Sequence, residues 1–243
     1  MHLLILGGNS DVAYAVALEF AARANADITL ASRNMEILEK KARDIEIRHH
    51  VSARAIAFDA AAVGAHRSFY EALEPKPDGV VAAFGYLGDQ AAAQSDFDEA
   101  RQIIETNFAG AVSILEIVAA DFERRGKGFI IGISSVAGLR GRQSNYFYGA
   151  AKGAFYIYLS GLRNRLSKRR VHVISVLPGF IDTKMTQGLG LPALLTATPG
   201  QVARDIYAAY LKSKNIIYTR WFWRWIMAVI QAIPEFIFKR LSL

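Results

Sequence analysis

The chain alternates short apolar runs with longer stretches in which apolar residues recur at helical spacing. Short runs of this kind predict buried strands, and the longer stretches predict helices that cover a sheet. The predicted strands are residues 2–6, 27–31, 54–58, 79–84, 128–134, 171–177 and 216–219. The predicted helices are residues 11–24, 34–48, 64–73, 96–124, 146–168 and 199–213. The alternation predicts one doubly wound α/β domain with a parallel sheet flanked by helices.

Two segments depart from this pattern. Residues 184–198 contain glycines and show no periodicity, which predicts a mobile lid. Residues 221–243 are largely apolar and aromatic, and we treat them as a tail that follows a domain of residues 1–220.

Composition narrows the possible functions. The 243 residues are 52% hydrophobic and include no cysteine, which excludes disulfides, thiolate metal sites and thiol nucleophiles. The five histidines lack metal-ligand spacing, so no metal site is predicted. A net charge of +7 suits a phosphate-bearing ligand or an acidic membrane surface, while no nucleic-acid motif accompanies it. The first strand begins at the N-terminus without signal-peptide features, which predicts a cytoplasmic protein.

The segment Tyr148-Gly149-Ala150-Ala151-Lys152 places a phenol and an ammonium group one helical turn apart. A nearby cation lowers the pKa of a phenol and so favours acid–base catalysis. The same spacing also occurs in ordinary solvated helix pairs. Ser135, however, follows a predicted buried strand at its carboxyl end, where open α/β sheets place their ligands.

Residues 6–13, Leu-Gly-Gly-Asn-Ser-Asp-Val-Ala, join the first strand to the first helix. A Rossmann-type domain turns here and directs backbone N–H groups at a pyrophosphate, although a plain strand-to-helix turn also uses two glycines. Asp11 and Ala13 replace later glycines, and we expect Asp11 to cap the helix. Binding would then depend on Gly7, Gly8, Asn9 and Ser10.

The end of the second strand bears on cofactor choice. An acidic residue there favours NAD, but Ser32 and Arg33 occupy the position, and arginine suits the 2′-phosphate of NADP(H). Arg33 could also be an ordinary surface cation. Asp59 follows the third strand and is placed to reach the adenine amino group.

The order and spacing of these residues resemble the short-chain dehydrogenase/reductase family over nearly the whole chain. The residues that carry this resemblance are Gly7-Gly8, Asp59, Asn107, Ser135, Tyr148, Lys152 and Pro178-Gly179. The family resemblance implies a single Rossmann-type domain with a seven-stranded parallel sheet.

The resemblance also implies roles for individual residues. Tyr148 would be the general acid in ketone reduction, Ser135 would hydrogen-bond the carbonyl oxygen, and Lys152 would lower the pKa of Tyr148 and bind the nicotinamide ribose. Asn107 would hold a water molecule linked to Lys152. The expected cofactor-binding residues are Gly7, Gly8, Asn9, Ser10, Asp11, Val12, Ser32, Arg33, Asp59, Ala83, Phe84, Gly85, Tyr148, Lys152, Pro178, Gly179, Ile181 and Thr183.

A narrower resemblance points to a substrate. Residues 82–89, Ala-Ala-Phe-Gly-Tyr-Leu-Gly-Asp, replace the usual Asn-Asn-Ala-Gly of the family. Together with residues 145–149 and 233–241, they are similar to the decaprenylphosphoryl-2-keto-ribose reductases. That group reduces a 2-keto sugar on a polyprenyl phosphate to the arabinose epimer, after a separate flavin-dependent oxidase has made the ketone. Family habit implies a homodimer or homotetramer.

The tail of residues 221–243 gives independent physical information. Charges and Pro234 argue against a transmembrane span, which needs about 20 mostly apolar residues. If the tail is one helix, Arg220, Arg224, Gln231, Glu235 and Lys239 lie within one arc of about 100°. Tryptophans beside arginines suit a membrane interface, while packing on the domain itself or on a second subunit would also cover the apolar surface.

Three functional hypotheses follow. The first is an NADP(H)-dependent reductase of a polyprenyl-phosphoryl keto-sugar at the inner face of the cytoplasmic membrane. The second is a soluble short-chain reductase for another ketone or alcohol. The third is a nucleotide-sensing scaffold without turnover, which would have no need for the combination of Asn107, Ser135, Tyr148 and Lys152.

Overall fold

The structure is a computed structural model that describes residues 1–188, 190 and 192–241. Its centre is a seven-stranded sheet in the order β3-β2-β1-β4-β5-β6-β9, with every neighbouring pair parallel. These strands are β1 (His2–Leu6), β2 (Asp27–Ser32), β3 (Ala53–Ala57), β4 (Gly79–Ala82), β5 (Gly128–Ile133), β6 (Val171–Pro178) and β9 (Ile216–Thr219). The predicted doubly wound α/β fold is confirmed, with these strand boundaries within two residues of prediction.

Helices cover both faces of the sheet because the strands carry apolar side chains on both faces. The α-helices are α1 (Asp11–Ala24), α2 (Met35–His49), α3 (His66–Glu71), α4 (Gln90–Ser95), α5 (Phe97–Ile104), α6 (Gly110–Arg125), α7 (Tyr146–Leu166), α8 (Pro199–Leu211), α9 (Trp223–Ala232) and α10 (Glu235–Phe238). One core contains Phe20 of α1 and Ile206 of α8, and the other contains Ile114 of α6 and Leu159 of α7.

The sheet topology creates the crevice in which a ligand can bind. Strand β1 pairs with β2 on one side and with β4 on the other, so the chain crosses over in opposite directions from this point. All five residues of β1 are buried. The carboxyl ends of the central strands therefore open into one crevice at the strand-order reversal, the usual ligand position of open α/β sheets.

The predicted helix over residues 96–124 is helical from Phe97 to Arg125 but contains a π-helical turn. Helices α5 and α6 are joined by a π-helical turn over Glu105–Ala109, and Asp96 accepts from the Asp98 N–H at the start of α5. Within the described residues, this continuous stretch, Phe97–Arg125, is the one helix long and apolar enough to cross a membrane. Its residues Ile114, Val118 and Phe122 are fully buried against the sheet, as in a core helix.

The segment of residues 184–198 has more structure than its sequence predicts. Short 3₁₀ turns at Lys184–Thr186 and Ala193–Leu195 precede β8 (Thr196–Ala197), which pairs with β7 (Phe180–Ile181). Leu189 and Leu191 of the predicted lid lie outside the described residues.

The tail folds back on the domain as two helices, α9 and α10, rather than one. Pro234 separates them because proline has no N–H to continue a helix. The predicted single arc of polar residues from Arg220 to Lys239 is therefore wrong. Ser242 and Leu243, the last residues of the predicted tail, lie outside the described residues.

Candidate active site

A cavity of about 370 Å³ lies at the carboxyl ends of the central strands. Its lining includes every sequence-predicted site residue except Gly8 and Asn107: Gly7, Asn9, Ser10, Asp11, Val12, Ser32, Arg33, Asp59, Ala83, Phe84, Gly85, Ser135, Tyr148, Lys152, Pro178, Gly179, Ile181 and Thr183. It also includes Phe58, Ala60, Thr106, Ile133, Ser134, Lys184, Met185 and Thr186, which sequence reasoning did not select.

The first loop turns sharply at Gly7, whose φ of +89° lies in the left-handed region. A Cβ at this residue would lie 2.6 Å from the Phe84 backbone nitrogen, so the close approach requires glycine. The N–H groups of Gly7 and Gly8 both donate to the Ala31 carbonyl, at 2.7 and 3.1 Å. Both N–H groups are already used within the protein, so the expected donation to a phosphate is not met by Gly7 or by Gly8, although Gly7 lines the cavity. A Cβ on Gly8 would instead lie 2.8 Å from Leu38.

The donor and acceptor groups at the next positions fit an anionic, hydrogen-bonding ligand. Helix α1 begins at Asp11, and its N-cap residue Ser10 makes no side-chain hydrogen bond to it. The first-turn N–H groups can therefore serve an anion such as a phosphate. The buried Oδ1 of Asn9 has no hydrogen-bond partner in the described part of the chain. An orphaned buried oxygen of this kind is a position that a bound ligand can satisfy.

The sequence position of Asp11 suggested that it caps helix α1. Asp11 is instead the first residue of the helix, so it does not cap it. Its Oδ2 accepts from the backbone N–H of Lys184 at 3.2 Å, which ties the predicted lid to the first loop. Lys41 of α2 lies on the other side of the loop. Its ammonium group donates to the carbonyls of Gly8 (3.3 Å), Asn9 (2.9 Å) and Ser10 (3.5 Å).

These three charged residues interact through space. Burial lowers the pKa of Lys41, Asp11 acts to raise it, and Lys184 acts to lower it. Lys41 was not predicted as a site residue, because only the packing of α2 beside the loop brings it there. The carboxylate of Asp11, which by itself would repel a phosphate, thus lies close to the ammonium groups of Lys41 and Lys184.

At the adenosine end, Ser32 and the exposed Arg33 line the cavity. Asp59 also lines it, but its Oδ1 already accepts from the Ala61 N–H at 3.0 Å. The carbonyl of Asp59 accepts from His66 at 3.0 Å if the histidine nitrogen carries its proton. The local turn and the histidine hold Asp59 at the edge of the site.

Ser135, Tyr148 and Lys152 meet because glycines let two segments pack closely. A Cβ on Gly138 would lie 2.5 Å from the nitrogen of Gly153, so the 3₁₀ turn after Ser135 lies directly on α7. The Ser135 hydroxyl accepts from the Ala137 N–H at 3.1 Å. The Lys152 ammonium group donates to the Ile133 carbonyl at 3.1 Å and lies 5.9 Å from the centroid of the Tyr148 ring.

Desolvation controls the protonation of both catalytic candidates. It raises the pKa of Tyr148 to about 12, against a smaller opposing effect of the hydrogen bond with Ser135. It lowers the pKa of Lys152, which is 4% exposed, to about 8. The expectation that Lys152 lowers the tyrosine pKa is not met in this structure, because burial disfavours the charged form of each group.

Asn107 lies beside the cavity rather than in its lining. It occupies the π-helical turn, where its Nδ2 donates to the carbonyls of Tyr86 (2.6 Å) and Ile103 (2.8 Å) and its Oδ1 accepts from the Tyr86 N–H (3.2 Å). Both ends of the amide are occupied, in contrast to the expected water-holding role. Asn107 instead fixes the segment after β4 that replaces the family's usual asparagine pair.

The end of β6, which lines the cavity, packs on the tail from behind. A Cβ on Gly179 would lie 1.9 Å from the ring of Trp223, so only glycine admits this close packing. The Trp223 indole donates to the Leu195 carbonyl at 3.2 Å. Arg140, just beyond the Ser135 turn, donates to the Gln231 carbonyl at 2.9 Å and pairs with Glu235 at 2.8 Å. The tail therefore supports segments that flank Ser135 and Ile181.

Comparisons with known proteins agree with this fold and site. Residues 1–192 match the family model described as short chain dehydrogenase. An uncharacterised oxidoreductase of Mycobacterium tuberculosis is 34% identical over 242 residues, covering 98% of this chain and 96% of the relative. An NADP-dependent 3-hydroxy acid dehydrogenase of Schizosaccharomyces pombe is 26% identical, with 76% and 73% covered. A short-chain dehydrogenase from Sphingobium yanoikuyae, solved in complex with NADPH, superposes with a TM-score of 0.82 at 20% identity, covering 96% of each chain.

The chain belongs to the short-chain dehydrogenase/reductase family. It is an oxidoreductase that acts on CH–OH or C=O groups.

Proposed function

We propose that this protein is an NADP(H)-dependent reductase in which Tyr148 donates the proton to the oxygen of a ketone. The observation that carries this proposal is the convergence of the Tyr148 phenol, the Ser135 hydroxyl and the Lys152 ammonium group at one cavity. A phenol with a pKa near 12 stays protonated at neutral pH and can act as an acid. The nicotinamide, when bound, supplies the hydride.

Each of the three side chains has a distinct task in this mechanism. Ser135 accepts from the Ala137 N–H and also hydrogen-bonds Tyr148, so its hydroxyl lies beside the phenol, where we propose that it donates to the ketone oxygen when substrate binds. Lys152 is held by the Ile133 carbonyl, with its charge near the Tyr148 ring. This charge does not offset the effect of burial on the pKa of the resting phenol, and its proposed task is to stabilise the negative charge that develops on the reacting oxygens in the transition state.

The charges around the first loop support NADP(H) over NAD(H). Arg33 lines the cavity where the second strand ends, and Lys41 and Lys184 lie near Asp11. Arginine binds phosphate through parallel N–H donors, which suits the 2′-phosphate. The Schizosaccharomyces pombe relative, named as an NADP-dependent dehydrogenase, is in line with this choice. NADPH should bind more tightly than NADH in a fluorescence titration, and equal affinities would contradict the assignment.

We propose that the substrate is the 2-keto group of a polyprenyl-phosphoryl keto-pentose, reduced to the arabinose form. Three buried polar atoms near the start of α7 have no hydrogen-bond partner in the described residues: Gln90 Nε2, Arg142 Nε and Asn145 Oδ1. Burial lowers the pKa of Arg142, which no described carboxylate pairs. Two unsatisfied donors, one unsatisfied acceptor and a cation of this kind suit a sugar phosphate, which offers both phosphate oxygens and hydroxyl groups.

The proposed physiological setting follows from this substrate. Like the substrate, it rests on the similarity of residues 82–89, 145–149 and 233–241 to the decaprenylphosphoryl-2-keto-ribose reductases. A flavin-dependent oxidase of the sugar hydroxyl would supply the ketone, and the reaction would take place in the cytoplasm at the inner face of the membrane. The homodimer or homotetramer that family habit implies stays a prediction, to be measured by light scattering.

Two other functions are distinguishable. A reductase for a small, lipid-free ketone is favoured by the name of the Schizosaccharomyces pombe relative, a 3-hydroxy acid dehydrogenase. A nucleotide-sensing scaffold would bind NADPH and reduce nothing. A panel of keto-sugars on short polyprenyl phosphates, keto-sugars alone and 3-oxo acids separates the three outcomes by the rate of NADPH oxidation.

Two variants test the proposed chemistry. Tyr148→Phe should lower turnover by at least about 100-fold, because it removes the proton donor. NADPH binding should be nearly unchanged, and retained turnover would remove the phenol from the mechanism. Arg142→Gln should raise KM for the phosphorylated substrate alone, whereas Arg67→Gln on the exposed face of α3 should not.

A further inference from the structure

The tail helix α9 carries two apolar stripes. The inner stripe contains the buried residues Trp223 and Met227 together with Ile226 and Ile230. It packs on Val136 and other residues beside the active site. One prediction for the tail was that it packs on its own domain. The structure shows this packing, and it buries only the inner stripe.

The outer stripe points away from the domain. Trp225 and Val229, four residues apart on α9, are 61% and 67% exposed, and Trp221 in the turn before the helix is 72% exposed. Phe236 of α10, 64% exposed, continues the apolar surface beyond Pro234. Exposed aromatic and aliphatic residues in one stripe mark an interaction surface.

The predicted lid adds to this surface beside the cavity. Leu194 is 78% exposed, and its carbonyl accepts from Arg220 at 3.1 Å, so it lies next to the start of the outer stripe. Met185, which lines the cavity, is 46% exposed. Apolar side chains are therefore exposed beside the tail, at Leu194, and at the cavity, at Met185.

The charges around the outer stripe are mostly positive. Residues 220–241 contain four cations, Arg220, Arg224, Lys239 and Arg240, and one acidic residue. That residue, Glu235, is already paired with Arg140. Tryptophans and arginines bordering an apolar stripe suit the headgroup layer of an anionic bilayer.

We propose that the outer stripe docks the protein on an anionic lipid surface, with the predicted lid facing the bilayer. A second copy fits less well, because a two-fold interface sets a patch against itself and would bring these cations together. The inference goes beyond the proposed function, since the surface would bind lipid whichever ketone is reduced. It would also bring a lipid-linked substrate to the cavity without taking its chain out of the bilayer.

Intrinsic fluorescence gives a direct test, because the three tryptophans of the chain are Trp221, Trp223 and Trp225. Vesicles of phosphatidylcholine and phosphatidylglycerol should shift the emission to shorter wavelength and carry the protein through flotation. Pure phosphatidylcholine should bind less, and added salt should weaken binding. No shift and no flotation with the anionic vesicles would overturn the proposal.

A double variant locates the surface. Trp225→Gln with Val229→Gln alters two outward side chains and should lower vesicle affinity at least tenfold while leaving NADPH binding intact. Ile157→Gln is the control for the loss of an exposed apolar side chain outside the outer stripe, since Ile157 of α7 is 71% exposed. Equal binding by the double variant would overturn the proposal. A dimer in light scattering that the double variant dissociates, without vesicle binding by the parent, would assign the stripe to a second copy instead.

Discussion

Lys152 combines deep burial with an ionisable group. Its ammonium group has one hydrogen-bond acceptor in the described residues, the Ile133 carbonyl, and desolvation lowers its pKa from 10.5 to about 8. A group that binds protons less tightly in the folded state destabilises the fold wherever it is charged. Lys152 is therefore retained at a cost in stability, as expected for a residue that serves the reaction.

This cost can be measured as a pH dependence. Between pH 8 and 10.5 the unfolded chain holds the lysine proton more strongly, so the stability contribution of Lys152 rises with pH across that window. Below pH 8 the penalty is constant, at most about 3 kcal/mol. Lys152→Met should raise the free energy of unfolding at pH 7, with a smaller gain at pH 10. Urea unfolding at both pH values measures this, and a gain that is the same at both would contradict the lowered pKa.

Lys41 offers a second test at the residue scale. Lys41→Ala would leave the carbonyls of Gly8, Asn9 and Ser10 without their cation and would remove one of the two cations near Asp11. We expect NADPH affinity in fluorescence titration to fall about tenfold, which is about 1.4 kcal/mol. Lys41→Arg should recover part of it by restoring the charge. Lys40→Ala is the matched control, since Lys40 is exposed and pairs with Glu36. An equal loss in both alanine variants would refute a specific role for Lys41.

Local sequence identified residues but not their surroundings. The spacing of Tyr148 and Lys152 predicted their proximity, because positions i and i+4 share a helix face. The directions of their pKa shifts depend on burial by segments that are distant in the sequence. The spacing of two residues on a helix gives no information about that burial. Lys41 was overlooked for the same reason, since it is 31 to 33 residues from the loop it holds.

At the scale of elements, periodicity predicted the sheet well and its irregular connections poorly. Helix α1 begins and ends where the sequence pattern predicts. The π-helical turn between α5 and α6 depends on Asn107 bonding to Tyr86, 21 residues away. The ladder between β7 and β8 likewise depends on pairing across the predicted lid. Such long-range contacts leave no local periodicity.

The contact between Gly179 and Trp223 predicts the effect of one added methyl group. Gly179→Ala would place a Cβ 1.9 Å from the indole and force the ring to move. We expect a loss of about 1–3 kcal/mol in the free energy of unfolding, the usual cost of overpacking. Gly161→Ala is the matched control, because a Cβ there meets no atom within 4 Å in the middle of α7. The control should gain about 1 kcal/mol from helix propensity. Urea unfolding compares both variants, and an unchanged Gly179→Ala would refute the close packing.

At the scale of the whole molecule, the protein carries a net charge of +7, which attracts a phosphorylated cofactor. Charges that attract a ligand through solvent are screened over about 10 Å at 0.1 M salt. Rising ionic strength should therefore weaken the binding of NADPH more than that of NADH, which carries one phosphate fewer. Titrations at several salt concentrations measure the two slopes. Arg33→Gln should bring the slopes closer together, and parallel slopes in the parent protein would contradict the assigned role of Arg33.

The position of the tail at the C-terminal end of the sequence has a consequence for folding during translation. Translation proceeds from the N-terminus, so Trp223 and Gln231 leave the ribosome after the strands that form the nucleotide half have been made. The contacts of Trp223 with Gly179 and of Arg140 with Gln231 form only then. A nascent chain can thus complete the residues that line the cleft, the last of which is Thr186, before the helix that buttresses the end of β6 has been made.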